Sequence, residues 1–391
     1  MHGAIFDTWV VSEILKHRAN AGEYRGLYYY RDRQGVEIDL GVERGNHLTL
    51  VEAKSGQTAA ADFYDSLRRG QAVIAAGRAC SAMVVYGGAT AQWRSSAAMD
   101  RAARGTLVMI GIMQGRLLPP MGGRIQCFPR GRWQEEFPLA AQAKLEAIEW
   151  IYDAFGAGAN PLETDAGILE MRRVADAHRV RVVSLCADWC MEFPLVRTTP
   201  ADTNQRLDRL RWLLGRCRQA GITRVVLPFV DSSKIQDKAD MRTVISAITR
   251  TLLEAESAGV ELHLEAALSP VKFSDMLASL DHPLVKVNYD SGNSASLGYD
   301  VREEFAAYGS RIGSVHLKDR VRGGGTVPLG KGNADFPALF DCLKAHRYKG
   351  DFILQVARGD SGAELPWAQR NLQTARSYIE ALDFAKYGPG T

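Results

Sequence analysis

Four side chains able to hold a metal ion stand late in four successive apolar runs. Glu265 lies in "VELHLEA" (260–266), Asp290 in "VKVNYD" (285–290), His316 in "IGSVHLK" (312–318) and Gln355 in "DFILQVA" (351–357). Two carboxylates, one imidazole and one amide oxygen, without a thiolate, form an oxygen-rich donor set. Such a set suits Mn2+ or Mg2+, with Co2+ or Zn2+ as the alternatives. A single Asp or His at a strand end ordinarily caps a loop. Four at equivalent places define a common site only if the runs lie side by side.

The rest of the chain supplies that arrangement. Four earlier runs, "LVMIGIM" (107–113), "AIEWI" (147–151), "VRVVSLCA" (180–187) and "RVVLPFV" (224–230), bring the total to eight. Helix-like stretches separate them. In "RLDRLRWLLGRCRQAG" (206–221), Leu207, Leu210, Leu213, Leu214 and Cys217 recur at three- and four-residue steps before a capping glycine. Nearly continuous apolar strands alternating with helices predict an α/β chain with a (β/α)8 barrel over 106–391. A doubly wound open sheet is the competing arrangement, and it lacks its glycine-rich turn after the first strand. In a (β/α)8 barrel the reacting groups sit at the C-terminal strand ends. Glu149 and Asp188, at earlier strand ends, are therefore candidates to carry a proton or to bind substrate hydroxyls. Lys318, one alternation beyond His316, shares that ligand's face and is a candidate to meet an oxyanion or phosphate.

The stretches "GIMQGRLLPP", "RIQCFPRGRWQEEF", "IEWIYD", "LCADW", "VLPFVDSS", "YDSGN", "HLKDR", "VPLGKGNADF" and "FILQVARG" resemble the sugar phosphate isomerase/epimerase family, xylose-isomerase-like TIM barrels that also include endonuclease IV. The resemblance covers about 106–385. It implies a metal held by Glu265, Asp290, His316 and position 355, where the characterised epimerases carry a second glutamate. It also implies two glutamates on opposite faces of a ketose, one removing the proton next to the carbonyl and one returning it through an enediolate. Here position 355 is Gln, which can offer an oxygen to a metal but carries no proton at neutral pH. Glu265 then remains as base, and a one-base aldose–ketose isomerisation stays open, as does a sugar-binding barrel in which Gln355 abolishes turnover. Asn293 in "YDSGN" and Arg358 in "VARG" join Asp188 as candidate substrate-binding residues. The expected partner is a small sugar or sugar phosphate; nucleic acid is not expected at the barrel. Endonuclease-IV-like barrels use several more histidines, whereas this barrel has five, of which His178, His282 and His346 fall in helix or loop text.

The first hundred residues form a separate pattern: a helix at "FDTWVVSEILKHRAN", strands at "LYYYRDR", "GVEIDLGVER" and "HLTLVEAKSG", a helix, then a strand at "SAMVVYGG". Asp39 on one strand and Glu52 with Lys54 on the next are the parts of a Mg2+-dependent phosphodiesterase, with Glu13 on the first helix as a further member. A strand ion pair without catalysis is the competing reading. This text resembles a PD-(D/E)xK nuclease-like fold, specifically the DUF4143 domain that follows the ATPase module in AAA+-type proteins, over about 4–88. The expected division is a DUF4143-like fragment at 1–88, a linker at 89–105 and the barrel at 106–391. The loop "RGGGTVPLGKGN" (322–333) approaches a Walker A motif, but ends in Gly332 where a Ser or Thr is required.

Composition sets the remaining bounds. The formal net charge is +3 with acids and bases interspersed, so no nucleic-acid or membrane footprint is visible. The six cysteines form no CxxC pair and fit reduced thiols, and no apolar run approaches the roughly 18 residues of a membrane span. A cytoplasmic protein is expected, and a homo-oligomer is compatible with every feature named.

Overall fold

The computed structural model describes residues 3–20, 25–33, 35–44, 47–55, 65–74, 79–86 and 109–381. The chain divides into two compact units, Met1–Gly105 and Thr106–Thr391. The expected linker, 89–105, lies outside the described residues.

In the first unit, strands β1 (Leu27–Arg31), β2 (Glu37–Arg44), β3 (His47–Lys54) and β4 (Ala79–Tyr86) form one sheet in sequence order. β1 to β3 are antiparallel neighbours, and β4 runs parallel to β3. The helix Asp65–Ile74 makes the crossover that a parallel pair requires. Alternation buries Ile38, Leu48 and Leu50 with Leu67 of that helix. Phe6 and Val10 of the helix Gly3–Asn20 pack with Ala53 in a second cluster.

The second unit is a closed barrel of eight parallel strands. β5 (Ile110–Met113), β6 (Ala147–Ile151), β7 (Ser184–Cys186), β8 (Arg224–Phe229), β9 (Glu261–Ala266), β10 (Val285–Asp290) and β11 (Ile312–Leu317) follow in sequence order. After a hairpin of β12 (Asp319–Arg320) and β13 (Thr326–Val327), β14 (Phe352–Leu354) closes the ring on β5. Several strands are shorter than their apolar runs, because pairing stops where the barrel rim turns into loops. Gln355 thus lies one residue past β14, its N–H still donating to Leu317 O at 3.1 Å.

Helices pack the outer face, and their ends follow from local chemistry. Pro200–Ala220 begins where Thr199 accepts a bond from Asp202 N and ends at Gly221, whose φ of 81° is costly for any other residue. Its buried Leu207, Leu210, Leu213, Leu214 and Cys217 are those that the periodicity selects. The interior is unusually polar for such a barrel, which is normally filled by branched apolar side chains. Arg224 of β8 pairs at 2.7 Å with Asp351, just before β14, four places away around the ring. Such a pair can only cross the inside.

Candidate active site

Each member of the cluster is placed by a strand end. Glu265 lies on β9, Asp290 ends β10 and His316 lies on β11; the register pairs Asp290 with His316. Alternation turns all three inward and upward, and one ligand atom from each falls within 4.8 Å of the others. All three are buried. Among the described residues this is the one such grouping of three or more His, Cys, Asp or Glu side chains.

Bonds around the cluster fix each group. Glu265 takes Asn288 Nδ2 on Oε2 at 2.7 Å and Asn293 Nδ2 on Oε1 at 2.6 Å. Asp290 caps the helix Ser291–Leu297 through Asn293 N at 2.8 Å, which leaves Oδ2 facing Lys318 Nζ at 3.3 Å. His316 Nε2 meets Glu149 Oε1 at 2.7 Å, while Nδ1 is buried without a hydrogen-bond partner, 3.5 Å from Glu265 Oε2. An imidazole anchored on one nitrogen by a carboxylate, with the other aimed at two carboxylates, is the arrangement of a metal-ligating histidine. The donor set and the orphaned Nδ1 together fit a divalent cation.

The electrostatics follow from burial and pairing. In the metal-free protein burial pulls the His316 imidazole down, but Glu149 and Glu265 override it and raise it to about 10. Burial likewise raises Glu149, and the His316 charge outweighs it, leaving that carboxyl lowered. Asp188 is pushed up to about 6 by burial, against bonds from Gln126 Nε2 at 2.8 Å and Cys186 Sγ at 3.2 Å.

Of the remaining sequence candidates, Lys318 is drawn fully into the site. Its ammonium lies 3.2 Å from Gln355 Oε1 and 3.5 Å from Asn293 Oδ1. The stem passes over Gly292, where a Cβ would stand 2.6 Å from Lys318 Cγ. Gln355 also donates to Gln126 Oε1 at 3.1 Å, and so joins Asp188 through that residue. Glu149 reaches the site from below, with a fully buried side chain committed to His316, so its geometry is that of a positioning residue rather than a proton carrier. Arg358 spends Nε and Nη1 on Ile125 O and Leu118 O, at 3.0 and 2.6 Å, and shapes the 115–127 loop instead of projecting into the site.

Sequence reasoning passed over Gln126, Arg116 and Asn288. Arg116 holds Gln126 through Nη2 at 3.1 Å, and both sit in a loop without periodic pattern. Asn288 was detectable as an inward polar residue in an otherwise apolar strand. The glycine-rich 322–333 loop is tied down by Asp319, whose carboxylate takes Gly332 N at 2.8 Å and Ala334 N at 3.0 Å. Those two N–H groups are thereby committed within the protein.

In the first unit, Lys54 Nζ bonds Glu52 Oε1 at 2.6 Å, and Asp39 Oδ2 accepts Ala53 N at 2.7 Å. Burial and the Asp39 charge raise the carboxyl of Asp7, a neighbour the sequence does not single out, against the opposing pull of Lys54. Glu13 is not brought in: it pairs with Lys16 at 2.7 Å on exposed surface. Six residues separate Asp7 from Glu13, about a third of a turn out of phase, so one helix face cannot present both.

Fold and convergent strand ends define the class: a (β/α)8 enzyme barrel with a buried triad able to hold a metal ion. Residues 137–384 match the family model of the xylose isomerase-like TIM barrel, and the chain belongs to that family. Residues 2–101 match DUF4143, a domain of unknown function. L-ribulose-5-phosphate 3-epimerase UlaE of Shigella flexneri is 25% identical over 280 residues, covering 68% of this chain and 94% of that protein. Among solved structures, D-psicose 3-epimerase of Clostridium cellulolyticum H10 with D-tagatose shares the fold with a TM-score of 0.55 at 16% identity, over 70% of this chain and 99% of that one. A xylose isomerase-like TIM barrel protein of Mycobacterium smegmatis in complex with magnesium gives 0.54 at 19% identity, over 70% and 97%. The curated relative and the psicose enzyme are sugar epimerases by name.

Proposed function

We propose that the barrel is a divalent-metal-dependent isomerase or epimerase of a small sugar or sugar phosphate, acting through an enediolate. The observation that carries the reading is the buried triad Glu265, Asp290 and His316, with His316 Nδ1 orphaned and aimed into it. Those three residues, with the Gln355 amide oxygen beside them, would hold Mn2+ or Mg2+. An ion bound there would supply polarisation of the substrate carbonyl and stabilisation of the enediolate charge.

The chain's own groups divide the remaining work. Glu265, gripped by two amides, removes the proton from the carbon next to the carbonyl. Lys318 supplies a fixed positive charge at the developing oxyanion. Gln355 orients hydroxyls and carries no proton. Proton return by Glu265 on the same face gives aldose–ketose isomerisation; epimerisation requires a donor on the other face, for which Asp188, linked to Gln355 through Gln126, is the candidate. The first unit, which matches a domain of unknown function, is not part of this proposal.

Metal analysis followed by proton NMR in D2O over a panel of ketoses and their phosphates tests the reading. Deuterium appearing at the carbon next to the carbonyl, lost in Glu265→Gln, is the expected result. No exchange with any member of the panel at full metal occupancy overturns it.

A further inference from the structure

A column of polar side chains runs through the barrel beneath Glu265. Glu261 Oε2 contacts His263 Nε2 at 2.9 Å, His263 Nδ1 contacts Ser314 Oγ at 2.7 Å, Ser314 Oγ donates to Asn288 Oδ1 at 2.6 Å, and Asn288 Nδ2 donates to Glu265 Oε2 at 2.7 Å. His263, Ser314 and Asn288 are buried to within 2% of complete, whereas the Glu261 side chain, at the floor of the barrel, is 43% exposed.

The donors in this column are determined by counting hydrogens. Glu265 as a carboxylate only accepts, so Asn288 must turn its NH2 to it and its oxygen to Ser314. The one hydroxyl proton of Ser314 then goes to Asn288, so His263 Nδ1 must be the donor to Ser314. Flipping the Asn288 amide would set two oxygens against each other at 2.7 Å. Each link thus holds the next in one orientation, ending at Glu265.

The backbone is shaped to admit the column. The β10–β11 register slips between Val287 and Asn288, so that Asn288 faces Ser314 and Gly313 is passed over. A Cβ at Gly313 would stand 2.6 Å from His263 Cε1, so the ring occupies the room left by a missing side chain. Burying an amide, a hydroxyl and an imidazole where such barrels pack aliphatic groups costs stability unless every group is bonded. From His263 Nδ1 to Glu265 every link has one donor and one acceptor; the contact of Nε2 with Glu261 needs one further proton on that pair.

We infer that Asn288, Ser314 and His263 are positioning residues that fix the Glu265 carboxylate for the reacting proton and the metal. The role in catalysis rests on the function proposed above; the role in metal binding does not. Without the Ser314 hydroxyl, Asn288 Oδ1 loses its donor, and the amide that grips Glu265 is no longer held from below.

The test compares wild type with Ser314→Ala and Ser314→Thr, which restores a hydroxyl. Selective labelling of histidine should show a slowly exchanging His263 Nδ1 proton in the metal-free wild type that is absent from Ser314→Ala. Mn2+ titration should show affinity about tenfold weaker in Ser314→Ala, the usual size of an outer-shell effect, and recovered in Ser314→Thr. In deuterium exchange kcat should fall about tenfold with KM within twofold, and circular dichroism should be unchanged. Should Thr not be accommodated, His263→Phe, which removes the donor to Ser314, should weaken Mn2+ binding in the same direction. Unchanged Mn2+ affinity in folded Ser314→Ala, or no protected Nδ1 proton in wild type, overturns the inference. A wild type that binds Mn2+ but exchanges no sugar proton sinks the sugar reading alone, and the Mn2+ ratio still decides the column. A wild type that binds no Mn2+ overturns both.

Discussion

Replacing Glu149 by Gln separates positioning from proton transfer. Glu149 Oε1 and His316 Nε2 are 2.7 Å apart, with both side chains fully buried. The substitution keeps the shape and an acceptor oxygen but removes the charge. A charge-assisted bond contributes about 1.5–3 kcal/mol and a neutral one about 1. The difference, about 0.5–2 kcal/mol, is the weakening expected in the hold on the imidazole and in the basicity of Nδ1. In affinity that is a factor of about 2 to 30. Calorimetric titration of metal-stripped protein with Mn2+ measures it directly, with thermal unfolding in parallel. Glu149→Ala is the poorer choice, since an unpartnered buried group costs about 3–5 kcal/mol of stability and confounds the reading. If Glu149→Gln binds Mn2+ within twofold of wild type yet no longer exchanges deuterium, Glu149 is a proton carrier and the positioning argument is wrong.

Other consequences are open to measurement. Gln355→Glu adds a charged oxygen donor 3.2 Å from Lys318 and should tighten Mn2+ binding by about tenfold or more; an unchanged titration would show that position 355 does not face the ion. Glu136 is fully buried, and burial lifts its carboxyl from 4.5 to about 7. A raised carboxyl contributes stability that is complete below the unfolded value and is lost as pH rises through the folded one. Denaturant unfolding of the barrel should therefore show wild type losing about 3 kcal/mol between pH 4.5 and 7 relative to Glu136→Gln, and parallel pH profiles would contradict the assignment. In the first unit, Lys54→Ala strands the nearly buried Glu52 and should lower that unit's stability by roughly 1 kcal/mol. Any Mg2+-dependent nicking of supercoiled DNA should vanish in the same variant, and nicking that survives would exclude the Asp39, Glu52 and Lys54 cluster.

Much of this protein is written in its chain. Strand-length apolar runs broken by amphipathic helices specify a barrel because each run must be covered on both faces, and the helices supply one covering layer. Period-two alternation then puts Glu265, Asp290 and His316 on a common face at common strand ends, which is why their grouping on three strands is legible in the sequence. The departure at Gln355 was equally legible, since an amide differs from a carboxylate in composition alone.

Tertiary structure decided which partner each group found. Glu149 and His316 are 167 positions apart, and only closure of the ring sets one against the other. The same closure committed Glu149 to His316 and Arg358 to loop carbonyls. Glu13 and Asp7 were separated by helix phase, set by which face of Gly3–Asn20 packs on the sheet. Gln126 entered from an aperiodic loop. The column from Glu261 to Glu265 depends on a one-residue slip between β10 and β11, and neither composition nor spacing encodes a register shift. Local sequence sets which side chains are offered to the interior; long-range pairing and strand register set which of them touch.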